Sequence, residues 1–375
     1  MSHDTSLSHR ELVRYARQTS LPEVGVAGQQ KLKNAKVLLV GAGGLGGPIA
    51  LYLTAAGVGT ITIMDFDHIE LTNLHRQIMY SADEIGQSKA HTAADKLRKQ
   101  NPDIEINVVE KRLNKDNALE QVKQHDIVVD GTDNFTTRYL INDACVAANK
   151  PCVFGSIYRF EGMVTVFNLD GGPCYRCLYP DAPPSDVAPS CAEGGVLGIL
   201  PGVIGLLQAT EVIKILLETG EALRGRMLTF NALEMTFDSF EFGQDEHCQI
   251  CQNDKPELWY ADHTESEALY SLSHDDEDID LTVAQLARLQ AKRKVTLVDV
   301  RSQQERQYLH IDGDSWMPLT EINEQLDSLL DNDGTIIFYC QSGIRSRQAA
   351  MMLKEHGFDQ AYSLTGGVLA WHAAA

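Results

Sequence analysis

Cys340 opens the stretch Cys-Gln-Ser-Gly-Ile-Arg, directly after the apolar run Thr-Ile-Ile-Phe-Tyr. A thiol at the start of a Gly-containing loop that leads into a helix is met by backbone N–H groups, by the helix N-terminus and by Arg345. All three favour a thiolate or persulfide anion; the competing reading is a buried, inert cysteine. Cys191, in Ala-Pro-Ser-Cys-Ala-Glu-Gly-Gly after a Pro-rich segment, is a second candidate nucleophile, because a loop position beside glycines gives access. The alternative for it is a spectator. Cys174-Tyr-Arg-Cys177 and Cys248-Gln-Ile-Cys251 form a different pattern. Two C-x-x-C pairs supply the four thiolates of a tetrahedral structural zinc site. A redox dithiol is the alternative for either pair, but neither is expected at the start of a helix following a strand, where such motifs sit. Cys145 and Cys152 lie in the apolar context NDACVAANKPCVF and are expected in the core.

A second constellation centres on phosphate. In VLLVGAGGLGG, Val37 to Gly47, four apolar residues lead into Gly41, Gly43 and Gly46. This G-x-G-x-x-G turn lets the main chain approach a phosphate and aims the next helix at it. Gly43 and Gly44 would leave bare backbone against phosphate oxygens. The following strand, TITIMD, ends at Asp65, whose carboxylate can accept hydrogen bonds from ribose hydroxyls. To this point NAD and ATP fit equally well. Asn73, Arg76 and Lys89 come next, with Arg17 a further candidate, and two cations suit a triphosphate better than a dinucleotide. Asp133, in Gly-Thr-Asp-Asn after DIVVD, stands at the carboxyl end of a strand, where open α/β sheets bind ligands. It is a candidate hard-oxygen ligand for Mg²⁺; the bland reading makes it a helix N-cap and Arg76 a surface charge.

The elements that must position these residues follow from periodicity. Strand-like runs at Val37–Val40, Thr60–Met64, Ile104–Val109 and Ile127–Val129 alternate with helical patterns at Ser88–Gln100 and Thr137–Ala148. That alternation predicts a mainly parallel sheet covered on both faces. Two extended segments are expected over Gly155–Asn168, then a Pro-rich loop at Pro180–Pro189 and a helix continuing to about Thr219. The apolar stretch Val196–Leu207 is broken by Pro201 and glycines and followed by Gln208, Glu211 and Lys214; it reads as a core helix, too short and polar for a membrane span. Between Pro256 and Ala287 stand nine acidic residues and no Lys or Arg, the composition of a solvated linker. VTLVDVRS and TIIFYC then predict two buried strands of a compact second α/β unit.

With 375 residues and 43% hydrophobic content the chain is long enough for two or three domains. A formal charge of −20 argues against nucleic acid as a partner. The N-terminal MSHDTSLSHRELVRYARQ lacks the succession of a secretory signal, and the eight cysteines suit ligands and nucleophiles better than disulfides. A cytoplasmic location and no membrane are the resulting expectations.

RYARQ, VLLVGAGGLGG, DFDHIELTNLHRQ, GQSKA, GTDN, EGMVTVF, PCYRC and HCQIC, in this order over residues 9–252, resemble the MoeB/ThiF adenylyltransferases, relatives of ubiquitin-activating enzymes. The resemblance implies ATP and Mg²⁺ as cofactors and adenylation of the C-terminal glycine of a small ubiquitin-fold sulfur-carrier protein ending in Gly-Gly. By motif match Asp65 would hold ribose, Asn73, Arg76 and Lys89 the phosphates, and Asp133 the magnesium. Arg17 would reach into the partner subunit's site, implying a homodimer, and zinc would sit on Cys174, Cys177, Cys248 and Cys251. In several relatives the position of Cys191 holds a cysteine that links covalently to the carrier or to sulfur.

LVDVRSQQERQYLHIDGDSWMPL, YCQSGIRS and LTGGVLAW are similar to a rhodanese domain over residues 279–372. Cys340 matches the persulfide position, while Asp299, Arg301 and His310 match scaffold positions. The combined expectation is a Rossmann-like adenylyltransferase domain over residues 1–255, an acidic linker over 256–278 and a smaller α/β rhodanese domain over 279–375. Arg76 and Asp133 would serve adenylation and Cys340 and Cys191 sulfur transfer, with a persulfide donor such as a cysteine desulfurase. The other function class is an NAD-dependent oxidoreductase with an accessory domain, resting on the glycine loop and Asp65 alone.

Overall fold

Strand β1 (Lys36–Val40) alternates its side chains between two hydrophobic layers: Val37 and Leu39 pack into one, Leu38 and Val40 into the other. A strand apolar on both sides must be covered on both, so helices are required above and below it. The computed structural model describes residues 6–181, 195–256, 279–322, 329, 334–341 and 343–374, and the chain divides into two compact units between Tyr270 and Ser271.

In the first unit β1, β2 (Thr60–Met64), β3 (Glu105–Val109), β4 (Ile127–Asp130) and β5 (Cys152–Tyr158) pair in parallel in the order β3-β2-β1-β4-β5. Helices Gly46–Ala56, Lys89–Gln100 and Leu200–Leu217 cover one face, and Ala118–Lys123 and Phe135–Ala148 the other. Leu39 and Leu53 have no exposed surface, and burial of such a side chain contributes about 1.5–3 kcal/mol each. The expected extended pair is an antiparallel hairpin of β5 with β6 (Glu161–Phe167). The antiparallel half continues through β7 (Arg226–Asn231) and β8 (Thr236–Glu241), which the sequence pattern did not announce. Every residue of β8 is exposed, so it carries no inward-facing periodicity to read.

The Leu200–Leu217 helix, among the described residues, is the one long and apolar enough to cross a membrane by length and composition. That corrects the expectation that this stretch is too short and polar. Half of it is buried inside the unit, and its polar groups are used there. Gln208 Nε2 donates to Asp130 O at 2.7 Å, and Glu211 accepts from Leu223 N at 2.8 Å. Those contacts fit a core helix.

The second unit contains the two expected strands, β10 (Val295–Asp299) and β12 (Thr335–Tyr339), and adds the short β9 (Asp280–Leu281), β11 (Ser315–Trp316) and β13 (Ala361–Leu364). The five strands are all parallel, in the order β11-β10-β12-β13-β9. Ile336 and Phe338 pack on one side with Leu353, Ile337 and Tyr339 on the other with Leu286 and Val368. The Pro-rich loop beyond Asp181, Cys191 and the linker beyond Pro256 lie outside the described residues.

Candidate active site

The glycine loop is built by two close backbone approaches. Gly41 has φ +93°, and a Cβ there would lie 2.8 Å from Gly131 O; a Cβ on Gly46 would lie 2.0 Å from Gly41 O. Neither position admits a side chain, so Gly41 and Gly46 set the turn while Gly43 and Gly44 face the space above it.

That space is a cleft of about 870 Å³ including its open mouth, at the carboxyl ends of β1, β2 and β4. Gly43, Gly44, Asp65, Arg76, Lys89 and Asp133 all line it. Asp65 Oδ2 accepts from Ala42 N at 2.7 Å and Oδ1 from Asp67 N at 2.8 Å. Burial pushes the Asp65 carboxyl upward, against those two hydrogen bonds. Lys89 is buried and pairs with Asp67 at 3.1 Å, which holds its ammonium at the wall of the cleft.

Asn73 is not among the lining residues. Its side-chain oxygen accepts from Arg76 Nη2 at 3.2 Å, so it steadies a cation that does line the cleft. Asp133 is not the N-cap of the Phe135–Ala148 helix: Asn134 is, accepting from Thr137 N at 2.9 Å. The capping role falls one residue later and leaves the exposed Asp133 carboxylate on the cleft wall. Arg17 is exposed on the short helix Ala16–Thr19 and does not line this cleft.

Several polar residues of the cleft went unforeseen. Lys111 and Arg112 follow β3 and add cations to the cleft; their place after a parallel strand was the available signal. Arg138 donates to Thr132 O at 3.2 Å and lies 3.9 Å from the buried carboxylate of Asp130. Gln77 lines the cleft with its Oε1 buried and unpartnered among the described residues, so a donor from a bound molecule could satisfy it. A bare-backbone turn, several cations, the exposed carboxylates of Asp67 and Asp133 and an orphaned acceptor together fit a nucleoside triphosphate with its divalent ion.

The two C-x-x-C pairs converge. Cys174 Sγ is 3.5 Å from Cys248 Sγ, Cys177 Sγ is 3.3 Å from Cys251 Sγ and 3.8 Å from Cys174 Sγ, and all four sulfurs lie within 4.8 Å of one another. Four thiolates on one zinc at about 2.3 Å stand roughly 3.8 Å apart, so the donor set fits that ion. One part of the sequence argument fails here. Cys174 is the N-cap of the short helix Tyr175–Leu178 soon after β6, the placement expected of a redox dithiol. What favours metal is the second pair, brought against the first from far along the chain.

In the second unit Cys340 directly follows β12 and is buried. Its sulfur accepts from Gly343 N at 3.1 Å and lies 3.6 Å from Ser346 Oγ, at the start of the Ile344–Glu355 helix. The expected amide and helix-terminus contacts therefore exist. Arg345, also expected to favour the anion, instead gives its guanidinium to Glu305 at 2.6 and 3.0 Å. Asp299 and Arg301 form a buried pair, and Arg301 reaches Gln341 Oε1 at 3.3 Å; His310 is exposed.

Fold and cleft define a nucleotide-binding α/β domain whose chain continues into a cysteine-loop α/β unit. The sequence profile of the ThiF family matches residues 15–253 and that of the rhodanese-like domain residues 282–374. The chain belongs to the ThiF family and carries a C-terminal rhodanese-like domain. It is 43% identical to the probable adenylyltransferase/sulfurtransferase MoeZ of Mycobacterium tuberculosis, over 98% of this chain and 94% of that one. It is 40% identical to the adenylyltransferase and sulfurtransferase MOCS3 of Culex quinquefasciatus, over 98% and 88%. The crystal structure of E. coli MccB with ATP superposes with a TM-score of 0.56 at 26% identity, over 64% of this chain and 75% of that one. The protein is an adenylyltransferase and sulfurtransferase. None of these likenesses supports an NAD-dependent oxidoreductase.

Proposed function

We propose that the protein adenylates the C-terminal glycine of a small ubiquitin-fold sulfur-carrier protein ending in Gly-Gly, then converts that terminus to a thiocarboxylate with sulfur carried on Cys340. ATP lies with its ribose on Asp65 and its phosphates over Gly43 and Gly44, against Arg76 and Lys89. Asn73 and Asp67 position those two cations. Asp133 holds Mg²⁺, which offsets phosphate charge, and Arg17 completes the site of a second subunit in a homodimer. The observation that supports this most is the convergence of Arg76, Lys89 and Asp133 on the cleft above the glycine turn.

A carboxylate oxygen attacks the α-phosphorus, the bond to the β-phosphate breaks, and pyrophosphate leaves with the electron pair. The cations offset the like charges brought together. The terminal sulfur of a Cys340 persulfide then attacks the acyl carbon, forming C–S as the C–O bond to AMP breaks. A Cys191 thiolate attacking the Cys340 sulfur releases the thiocarboxylate and leaves a disulfide for a thiol reductant to reopen; alternatively Cys191 holds the carrier as a thioester. The four-cysteine cluster holds a structural zinc ion, a persulfide donor such as a cysteine desulfurase reloads Cys340, and the setting is cytoplasmic, away from membranes and nucleic acid.

Cys340→Ala is expected to abolish thiocarboxylate formation while leaving carrier-dependent ATP–pyrophosphate exchange within about twofold of the parent. Equal loss of both in a folded variant contradicts the division of labour.

A further inference from the structure

Among the described residues, the hydrogen-bond donors to the Cys340 sulfur are uncharged: Gly343 N–H at 3.1 Å and, more distantly, the Ser346 hydroxyl. The cations around the loop are matched by carboxylates. Arg301 pairs with Asp299 at 2.8 Å, Arg347 pairs with Asp280, and Arg345, in the first turn after Gly343, pairs with Glu305. The last pair is firmly built. Glu305 Oε1 accepts from Arg345 Nη2 at 2.6 Å, and Oε2 from Arg345 Nη1 at 3.0 Å, Ser302 N at 3.1 Å and Ser302 Oγ at 3.0 Å. Glu305 is thereby the return arm of the capping box of the Gln303–Tyr308 helix and cannot swing away without losing the cap. Burial works against its charge, yet Arg345 and Ser302 bring its pKa down to about 2, so it is ionised at neutral pH.

We propose that Glu305 determines which sulfur donors Cys340 accepts. By holding the Arg345 guanidinium in a two-pronged ion pair, it withholds that cation from an incoming donor and disfavours small inorganic dianions relative to a cysteine persulfide. The inference rests on the reading of Cys340 as the persulfide carrier. With thiosulfate as donor, the Cys340 thiolate attacks the outer sulfur, a Cys340 S–S bond forms, and the bond to the sulfonate sulfur breaks as sulfite leaves with the electron pair. The dianion benefits from a free guanidinium in a way that a singly charged persulfide does less.

The test uses the full-length protein with two donors, thiosulfate and cysteine persulfide, and cyanide as acceptor. Glu305→Gln keeps the capping geometry and removes the charge. It is expected to raise kcat/KM for thiosulfate about tenfold, chiefly through KM, with a change below about twofold for cysteine persulfide. In the double variant E305Q/R345Q the gain disappears. An unchanged or lower thiosulfate rate in folded E305Q, or a gain that survives in the double variant, overturns the proposal. If E305Q does not fold, the parent protein still decides. With Arg345 already neutralised, its kcat/KM for thiosulfate does not fall steeply with added salt, and a steep fall overturns the idea. Cys340→Ala separates the two readings: transfer lost from both donors supports Cys340 as the carrier and leaves E305Q to decide the proposal, whereas transfer persisting refutes the persulfide site and the proposal with it.

Discussion

The Asp65 carboxylate accepts a hydrogen bond from Ala42 N–H at 2.7 Å, tying the end of β2 to the glycine turn after β1. Its other oxygen serves Asp67 N–H. The acid that the sequence offers to ribose is therefore also a fastening of the phosphate loop, with one backbone donor on each oxygen. Asp65→Asn keeps the size but has only one acceptor oxygen, so its NH₂ faces a backbone N–H. A hydrogen bond to a charged group contributes about 1.5–3 kcal/mol. Asp65→Asn is expected to lower the thermal midpoint and to weaken ATP binding about tenfold, measured by calorimetry and thermal melting. Parent-like values for both would show that the carboxylate is dispensable to the loop.

The sulfur cluster gives a second expectation. Purified protein should contain about one zinc per chain by elemental analysis, and Cys248→Ser should drop the content well below that. Since a four-thiolate site contributes folding energy outright, the variant and the chelated protein should both melt earlier. Full metal content in Cys248→Ser would remove this residue from the ligand set.

A third expectation concerns pH. His125 is buried, with Nδ1 2.6 Å from Gln121 O and Nε2 2.7 Å from Thr62 Oγ1. The carbonyl can only accept, so Nδ1 carries the hydrogen and Nε2 accepts from the Thr62 hydroxyl. Burial lowers the His125 pKa from 6.5, outweighing the hydrogen bond to Gln121. The unfolded chain then binds a proton more readily than the folded one. The stabilisation is complete above the unfolded value and is lost as pH falls from about 6.5 toward the lower folded pKa. Urea midpoints should decline between pH 7.5 and 5.5, and less so in His125→Gln. Parallel declines in both proteins would assign the effect to other groups.

Most of the parallel sheet was legible because its strands are buried on both faces and separated by amphipathic helices, a pattern local in sequence. The antiparallel extension was not, since exposed β8 has no apolar alternation and finds its place only by pairing with β7. The site shows the same division. Residue type and order named Gly43, Gly44, Asp65, Arg76, Lys89 and Asp133, which converge on one cleft. Arg138 and Gln77 went unseen because an arginine or glutamine within an ordinary segment carries no spacing signal. Position relative to an element also misled where a single residue mattered, as with the helix start occupied by Cys174.

Sequence by itself determined the chemistry on offer: a glycine turn with cations after it, four paired thiols, and a cysteine loop after a buried strand. These depend on covalent order, which spacing records directly. Tertiary structure alone decided which charges remain available, because pairing is settled by contacts between distant segments. It brought Cys248 to Cys174, gave the Asp65 oxygens to the backbone, and closed Glu305 over Arg345.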